Sequence, residues 1–191
     1  MRRHRVCRGH RMARTPRRTG GGGVFHLMNR GVKRHQLFAD PDEYEHFLGL
    51  MARAHARVPL RVIAYCLMPN HWHFVVWPRA DDEVSAYMKW LTGTHSCHFN
   101  RSRASSGHVY QARFKSVAVR EDRHLLTLLR YVESNALRAQ LVDRAELWPW
   151  SSLQSREHIT LDPGPLRRPP CWLALLNNDT QPDPLEVDDG V

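Results

Sequence analysis

An α+β domain built on one antiparallel sheet is the fold class predicted by three features of this 191-residue chain. Strand-like and helix-like segments follow one another in the order β-α-β-β-α-β-α. "LRVIAYCLM" (60–68) and "HWHFVVWP" (71–78) are separated only by "PN", a tight-turn dipeptide, so they pair antiparallel. Amphipathic stripes at helical spacing begin at the acidic segments "DPDE", "DDEV" and "EDRH". Together these describe a ferredoxin-like split βαβ unit with an added C-terminal helix, its helices expected on one face of the sheet.

Each element has a local reason. "VFHLMNR" (24–30) is a first strand closed by Gly31. Asp40 can cap the first helix, Pro41 suits its first turn, and Glu43 has capping-box-like spacing. Tyr44, Phe47, Leu48 and Met51 then recur on one face. The second helix carries Val84, Tyr87, Met88 and Leu91. A polar loop is expected over 100–108, a fourth strand over 109–119 and a third helix over 121–139. Three regions are expected: an Arg- and Gly-rich disordered arm (1–23), a globular domain (24–153), and an extended, Pro-rich, finally acidic tail (154–191) with a short helix near 171–176.

Composition narrows the function classes. No apolar run approaches the roughly 20 residues of a membrane helix, and the N-terminus lacks a signal-peptide core. The four cysteines (Cys7, Cys66, Cys97, Cys171) form no Cys-x-x-Cys pair, which fits a reducing cytoplasm. The net charge of +9 favours a polyanionic partner, most often nucleic acid. Residues 2 to 18 hold eight arginines; translation starting at Met12 would shed five of them and roughly halve the excess.

His71 and His73 are two residues apart in a strand and therefore point to the same face. Neutral imidazoles at that spacing can chelate a divalent ion. Two histidines at a sheet edge, one hydrogen-bonded and one solvated, remain the alternative until a third ligand is found. On the last helix, Leu125, Leu128, Leu129, Val132, Ala136 and Ala139 form an apolar stripe, while His124, Thr127, Tyr131, Asn135 and Arg138 form a polar one. Asn135 is one turn after Tyr131, so both reach the same point, and its amide oxygen suits a hard cation such as Mg²⁺ or Mn²⁺. A metal held by two imidazoles and an amide, beside a phenol nucleophile, is the machinery for attack on a phosphodiester.

His71-Trp72-His73 resembles the His-hydrophobe-His signature of HUH endonucleases. "AYCLMPNHWHFVVWP", "GHVYQARFKS" and "LLRYVESNALRA…WPWSS", in that order, resemble the REP-associated tyrosine transposases, single-tyrosine enzymes of the IS200-like superfamily. The resemblance runs from about residue 12 to 176 and implies an HUH-type ferredoxin-like fold. It implies a metal-binding pair at His71 and His73, a Tyr131 nucleophile forming a 5′-phosphotyrosine, and a metal-supporting polar residue at Asn135. It implies single-stranded or hairpin DNA as substrate, typically repetitive extragenic palindromes, in a bacterial cytoplasm and associated with the nucleoid. No membrane or nucleotide cofactor is implied, and relatives are monomers or homodimers. Because the family-like sequence begins at Met12, residues 1–11 are expected to be a start-site artefact. Relatives often continue past a "WLALVN"-like segment into a basic tail; the acidic end here predicts weaker target binding.

Gln111, Arg113, Lys115, Arg120 and Arg138 are candidate DNA contacts, with solvated surface charge as the alternative. His26 either lines the DNA groove or is a packed histidine. Asn70 is expected to shape its turn, and Trp148 and Trp150 to pack. Tyr110 is the main rival nucleophile; Tyr65 and Tyr87 fall on buried positions. The competing functions are a transposase-derived DNA-binding protein that no longer cleaves, a rolling-circle initiator or relaxase, and an RNA-binding ferredoxin-like module.

Overall fold

The computed structural model describes residues 22–119, 122–154 and 159–178. It contains β1 (Val24–Arg30), α1 (Pro41–Arg57), β2 (Arg61–Met68), β3 (His71–Trp77), α2 (Glu83–Ser102), β4 (Lys115–Val119), α3 (Asp122–Glu133), α4 (Asn135–Arg138) and α5 (Trp172–Asn177). The sheet order is β2-β3-β1-β4, and every neighbouring pair is antiparallel. This is the predicted split βαβ arrangement, with β3 inserted between β1 and β2. Among the described residues no helix is long and apolar enough to cross a membrane.

The start of α1 follows its local signals. The Asp40 carboxylate accepts from the Glu43 backbone N–H at 3.0 Å, and Pro41 occupies the first turn. Glu43 reaches back one residue further than a standard capping box and accepts from the Ala39 N–H at 2.8 Å. At the end of β1, Gly31 is needed for close approach: a Cβ there would lie 2.2 Å from the His35 carbonyl oxygen.

Helices cover both faces of the sheet, which corrects the expectation of a single helical layer. On one face Phe25, Leu27, Leu67, Trp72, Phe74 and Val76 pack against α1 and α2. On the other, Val24, Ile63, Cys66, Met68 and Val75 meet Leu125, Leu129 and Val132 of α3, with Ala136, Trp172 and Leu176 beyond. The reason lies in β2. After Arg61 each of its residues is buried, so its near-continuous apolar run needs cover on two sides.

Other boundaries also differ. α2 continues to Ser102, into the expected loop. The fourth strand covers only 115–119, because Tyr110 bridges to Gly31 while Lys115 pairs with Met28. Residues 111–114 therefore face only Asn29 and Arg30, and the surplus bulges outward. The last long helix breaks at Ser134 (φ −93°, ψ 2°) before α4. The extended tail is corrected over residues 159–178. Ile159 and Leu161 pack on the first core, Leu166 on the second, and Trp172 and Leu176 are buried. Trp148 and Trp150 do pack: the Trp148 indole donates to the Leu67 carbonyl at 2.9 Å, and Trp150 stacks on Tyr44 at 4.7 Å.

His95 lies in the α1/α2 core against Phe38 and Phe47. Trp72 Nε1 donates to the Tyr110 hydroxyl at 3.4 Å, and that hydroxyl is hydrogen-bonded to His95 Nδ1 at 2.8 Å. Burial first, then the charges of His46, His98 and Arg103, push the His95 pKa down to about 3. The unfolded chain binds this proton first, so stability falls as pH drops below about 6.5. By pH 5 this group alone costs about 2 kcal/mol. Chemical denaturation of His95→Leu at pH 7 and pH 5 should show lower stability at pH 7 and a shallower acid loss by about that amount.

Candidate active site on the α3 face of the sheet

The β1–β3 register sets the floor of the site. Arg30 pairs with His71, Met28 with His73, and His26 with Val75. Side chains alternate between faces, so His71, His73 and Val75 share the α3 face with His26, Met28 and Arg30. His26 and His73 are diagonal neighbours across the two strands. His73 is 4% exposed and His26 is 2% exposed, while His71 is half-buried at the strand end.

Both histidines of the pair are held through Nδ1. His71 Nδ1 is 2.7 Å from the Asn70 side-chain oxygen, which can only accept, so His71 donates. The Asn70 amide nitrogen in turn donates to the Arg34 carbonyl at 3.5 Å. His73 Nδ1 is 2.9 Å from His26 Nε2. The His71 and His73 ring centres are 5.0 Å apart. Burial, with Arg30 alongside, lowers the His71 pKa to about 4; burial also lowers His26 to about 4 and His73 well below its ordinary value. All three imidazoles are therefore neutral near pH 7, as metal ligands must be.

The wall comes from α3 and α4. The Tyr131 ring meets His73 edge-on at 5.4 Å and His26 at 6.2 Å. Asn135 is buried on the same wall and interacts with His71. The Arg138 guanidinium lies 5.4 Å from the centre of the Tyr131 ring. The polar stripe on the helix thus comes to the histidine pair, with Tyr131 and Asn135 both buried.

Two residues after Tyr131, Glu133 anchors the helix. It is 2% exposed and accepts from Arg168 Nη2 (2.7 Å) and Nε (3.2 Å), Trp172 Nε1 (2.7 Å) and the Ser152 hydroxyl (2.9 Å). Arg168 also donates to the Ile63 carbonyl on β2 at 3.2 Å. The segment expected as a free tail therefore ties α3 to the sheet.

The other tyrosines lie elsewhere. Tyr110 packs in the α1/α2 core on the opposite face, as do Tyr65 and Tyr87. Lys115 is exposed and pairs with Met28, on the His73 side of the sheet. Gln111 and Arg113 are exposed on the bulge beside the end of β1. Arg120 lies outside the described residues, as do residues 1–21 of the expected N-terminal arm.

Four residues of the site escaped the sequence reading in whole or part. Arg30 and Glu133 went unconsidered, His26 was undecided, and Asn70 was assigned only to its turn. The period-2 pattern His26-x-Met28-x-Arg30 was visible, but its meaning depends on the β1–β3 register.

The donor set fits a divalent cation. His73 Nε2 is buried without a hydrogen-bond partner, the state expected of a nitrogen reserved for a ligand. Among the described residues no three His, Cys, Asp or Glu side chains gather as a metal cage. Two imidazoles and one amide make an open set, which leaves positions for substrate oxygens.

The fold and site together define a class of protein. Residues 22–135 match the profile of the family described as "Transposase IS200 like", and the chain belongs to that family. A Haemophilus influenzae protein, provisionally named a REP-associated tyrosine transposase, is 25% identical over 104 residues. That match covers 49% of this chain and 59% of the relative, so the chain spans less than two thirds of that relative's length. A solved structure of a REP-associated tyrosine transposase bound to a REP hairpin shares the fold, with TM-score 0.58 and 22% identity. It covers 74% of this chain and 82% of that one.

The Glu133 anchor makes a prediction. Glu133→Ala leaves Arg168 and the Trp172 indole without their shared acceptor. Denaturant unfolding should show a loss of about 3 kcal/mol. An unchanged midpoint would mean that the carboxylate does not hold α3.

Proposed function

We propose that this protein is a transposase that cleaves and rejoins single-stranded or hairpin DNA, with Mg²⁺ or Mn²⁺, through a 5′-phosphotyrosine on Tyr131. The observation that carries the reading is the Tyr131 ring, edge-on at 5.4 Å to a histidine whose outward nitrogen is buried and unpartnered. His71, His73 and Asn135 would hold the cation. A bound cation would act as a Lewis acid on the scissile phosphodiester. Repetitive extragenic palindromes are the proposed target class, supported by the relative solved with a REP hairpin.

In the cleavage step the Tyr131 oxygen attacks phosphorus and the bond from phosphorus to the 3′ oxygen breaks. The 3′ oxygen leaves as a hydroxyl, gaining a proton as the phenol loses one. The 5′ phosphate stays on Tyr131 as a diester, so its bond energy is kept without a nucleotide cofactor. Attack by a 3′-hydroxyl on that linkage restores Tyr131 and joins strands. Arg30, opposite His71, and Arg138, beside the Tyr131 ring, would neutralise charge on the bound phosphate. Gln111, Arg113, Lys115 and Arg120 extend the proposed contact to the flanking strand.

Incubation of the protein with end-labelled hairpins and Mn²⁺ should give a covalent protein–DNA band on a denaturing gel. Tyr131→Phe and EDTA should each abolish it, while Tyr110→Phe should keep it. Binding without cleavage by wild type across several hairpins would instead favour a DNA-binding protein that no longer cuts. Arg30→Ala should weaken single-strand binding and reduce the slope of log K against log salt by about 0.7, one phosphate contact. An unchanged slope would remove Arg30 from the DNA path.

A further inference from the structure

The bond between His26 and His73 needs one donor and one acceptor, and the choice decides what the other side of His73 can do. Both rings are buried and neutral, and the two nitrogens are 2.9 Å apart. If His26 Nε2 carried the hydrogen, His73 Nδ1 would accept. Neutral His73 would then carry its hydrogen on Nε2, the buried nitrogen that has no partner. That arrangement strands a donor in the protein interior and blocks the ligand position. If His73 Nδ1 carries the hydrogen and His26 Nε2 accepts, the Nε2 lone pair of His73 is free for a cation.

We propose that His26 is a positioning residue that holds His73 as its Nδ1–H tautomer, so that Nε2 is ready to bind the metal. The inference rests on the metal reading of the histidine pair. His26 does for buried His73 what Asn70 does for His71 at the strand end, accepting from Nδ1 at 2.7 Å. Metal-bound histidines generally need such an acceptor behind them; its loss costs about 10–100-fold in affinity. The two rings are nearly parallel, 21° apart with centres 5.1 Å apart, and His26 also lies against the Tyr131 ring. The acceptor therefore fixes ring orientation as well as tautomer. β1, apart from its pairing role, becomes part of the catalytic support.

The test uses the full chain and Mn²⁺ alone. Titration by electron paramagnetic resonance would give the affinity of wild type, His26→Leu, His26→Gln and His73→Ala. Nitrogen-15 NMR of the metal-free protein would read the His73 tautomer directly. His26→Leu keeps apolar bulk beside Tyr131 but has no acceptor, and should weaken Mn²⁺ about 10–100-fold and release His73 from the Nδ1–H form. His26→Gln offers an amide oxygen near the Nε2 position and should recover most of the affinity and the tautomer. Equal Mn²⁺ affinity in wild type and His26→Leu, or a wild-type His73 protonated on Nε2, would overturn the proposal. Wild-type Mn²⁺ binding no tighter than that of His73→Ala would overturn the metal reading and this proposal with it.

Discussion

The pairing of β1 with β3 decides where the chemistry can occur. Six consecutive residue pairs, from Phe25 opposite Val76 to Arg30 opposite His71, lock the two central strands. A slip of one residue would turn His26, Met28 and Arg30 toward the α1/α2 core and bring Leu27 under α3. Such a slip is opposed because Leu27, Trp72 and Phe74 are fully buried on the far face and leave no room for polar side chains. The apolar half of the sheet thereby enforces the polar half. Imidazoles, a guanidinium and a phenol are brought together by packing on the side where they do not appear.

Holding Tyr131 over that floor is a second problem. α3 has its own apolar contacts through Leu125, Leu129 and Val132. Contacts of this kind permit sliding and rotation; a buried carboxylate with four directed donors does not. Glu133 gathers those donors from Ser152, Arg168 and Trp172, and Arg168 is bonded to β2 as well. Tyr131, the histidine pair and the C-terminal segment are thus one mechanical unit within a single chain. The break at Ser134 lies just beyond the anchor, between Tyr131 and Asn135.

Much of this was legible in the residues. The strand-turn-strand around "PN" and the capped start of α1 follow from local signals, and local signals survive folding; Tyr131 and Asn135 both reach the histidine wall although the helix breaks between them at Ser134. The second helical layer was legible in principle, since the unbroken apolar run of β2 implies burial on both faces. What stayed hidden depends on register and long-range contact. His26 becomes a partner of His73 only when β1 lies beside β3, and Glu133 becomes an anchor only when Arg168 returns 35 residues later. The fourth strand was read too long because alternation over 109–119 persists through a bulge that only the geometry of Gly31 and Tyr110 reveals. The 154–191 segment looked like a tail because its apolar residues are few and irregularly spaced. Ile159, Leu161, Trp172 and Leu176 nevertheless find places on two different cores.

The central claim is that His71 and His73 turn their Nε2 atoms toward one shared position beside Tyr131. Crystals soaked in Mn²⁺ and measured at the manganese absorption edge would test it most directly. The account predicts one strong anomalous peak within coordination distance of both Nε2 atoms, with the Asn135 side chain next to it. A peak at another place, or on His26, or none at saturating Mn²⁺ in an otherwise ordered site, would contradict it.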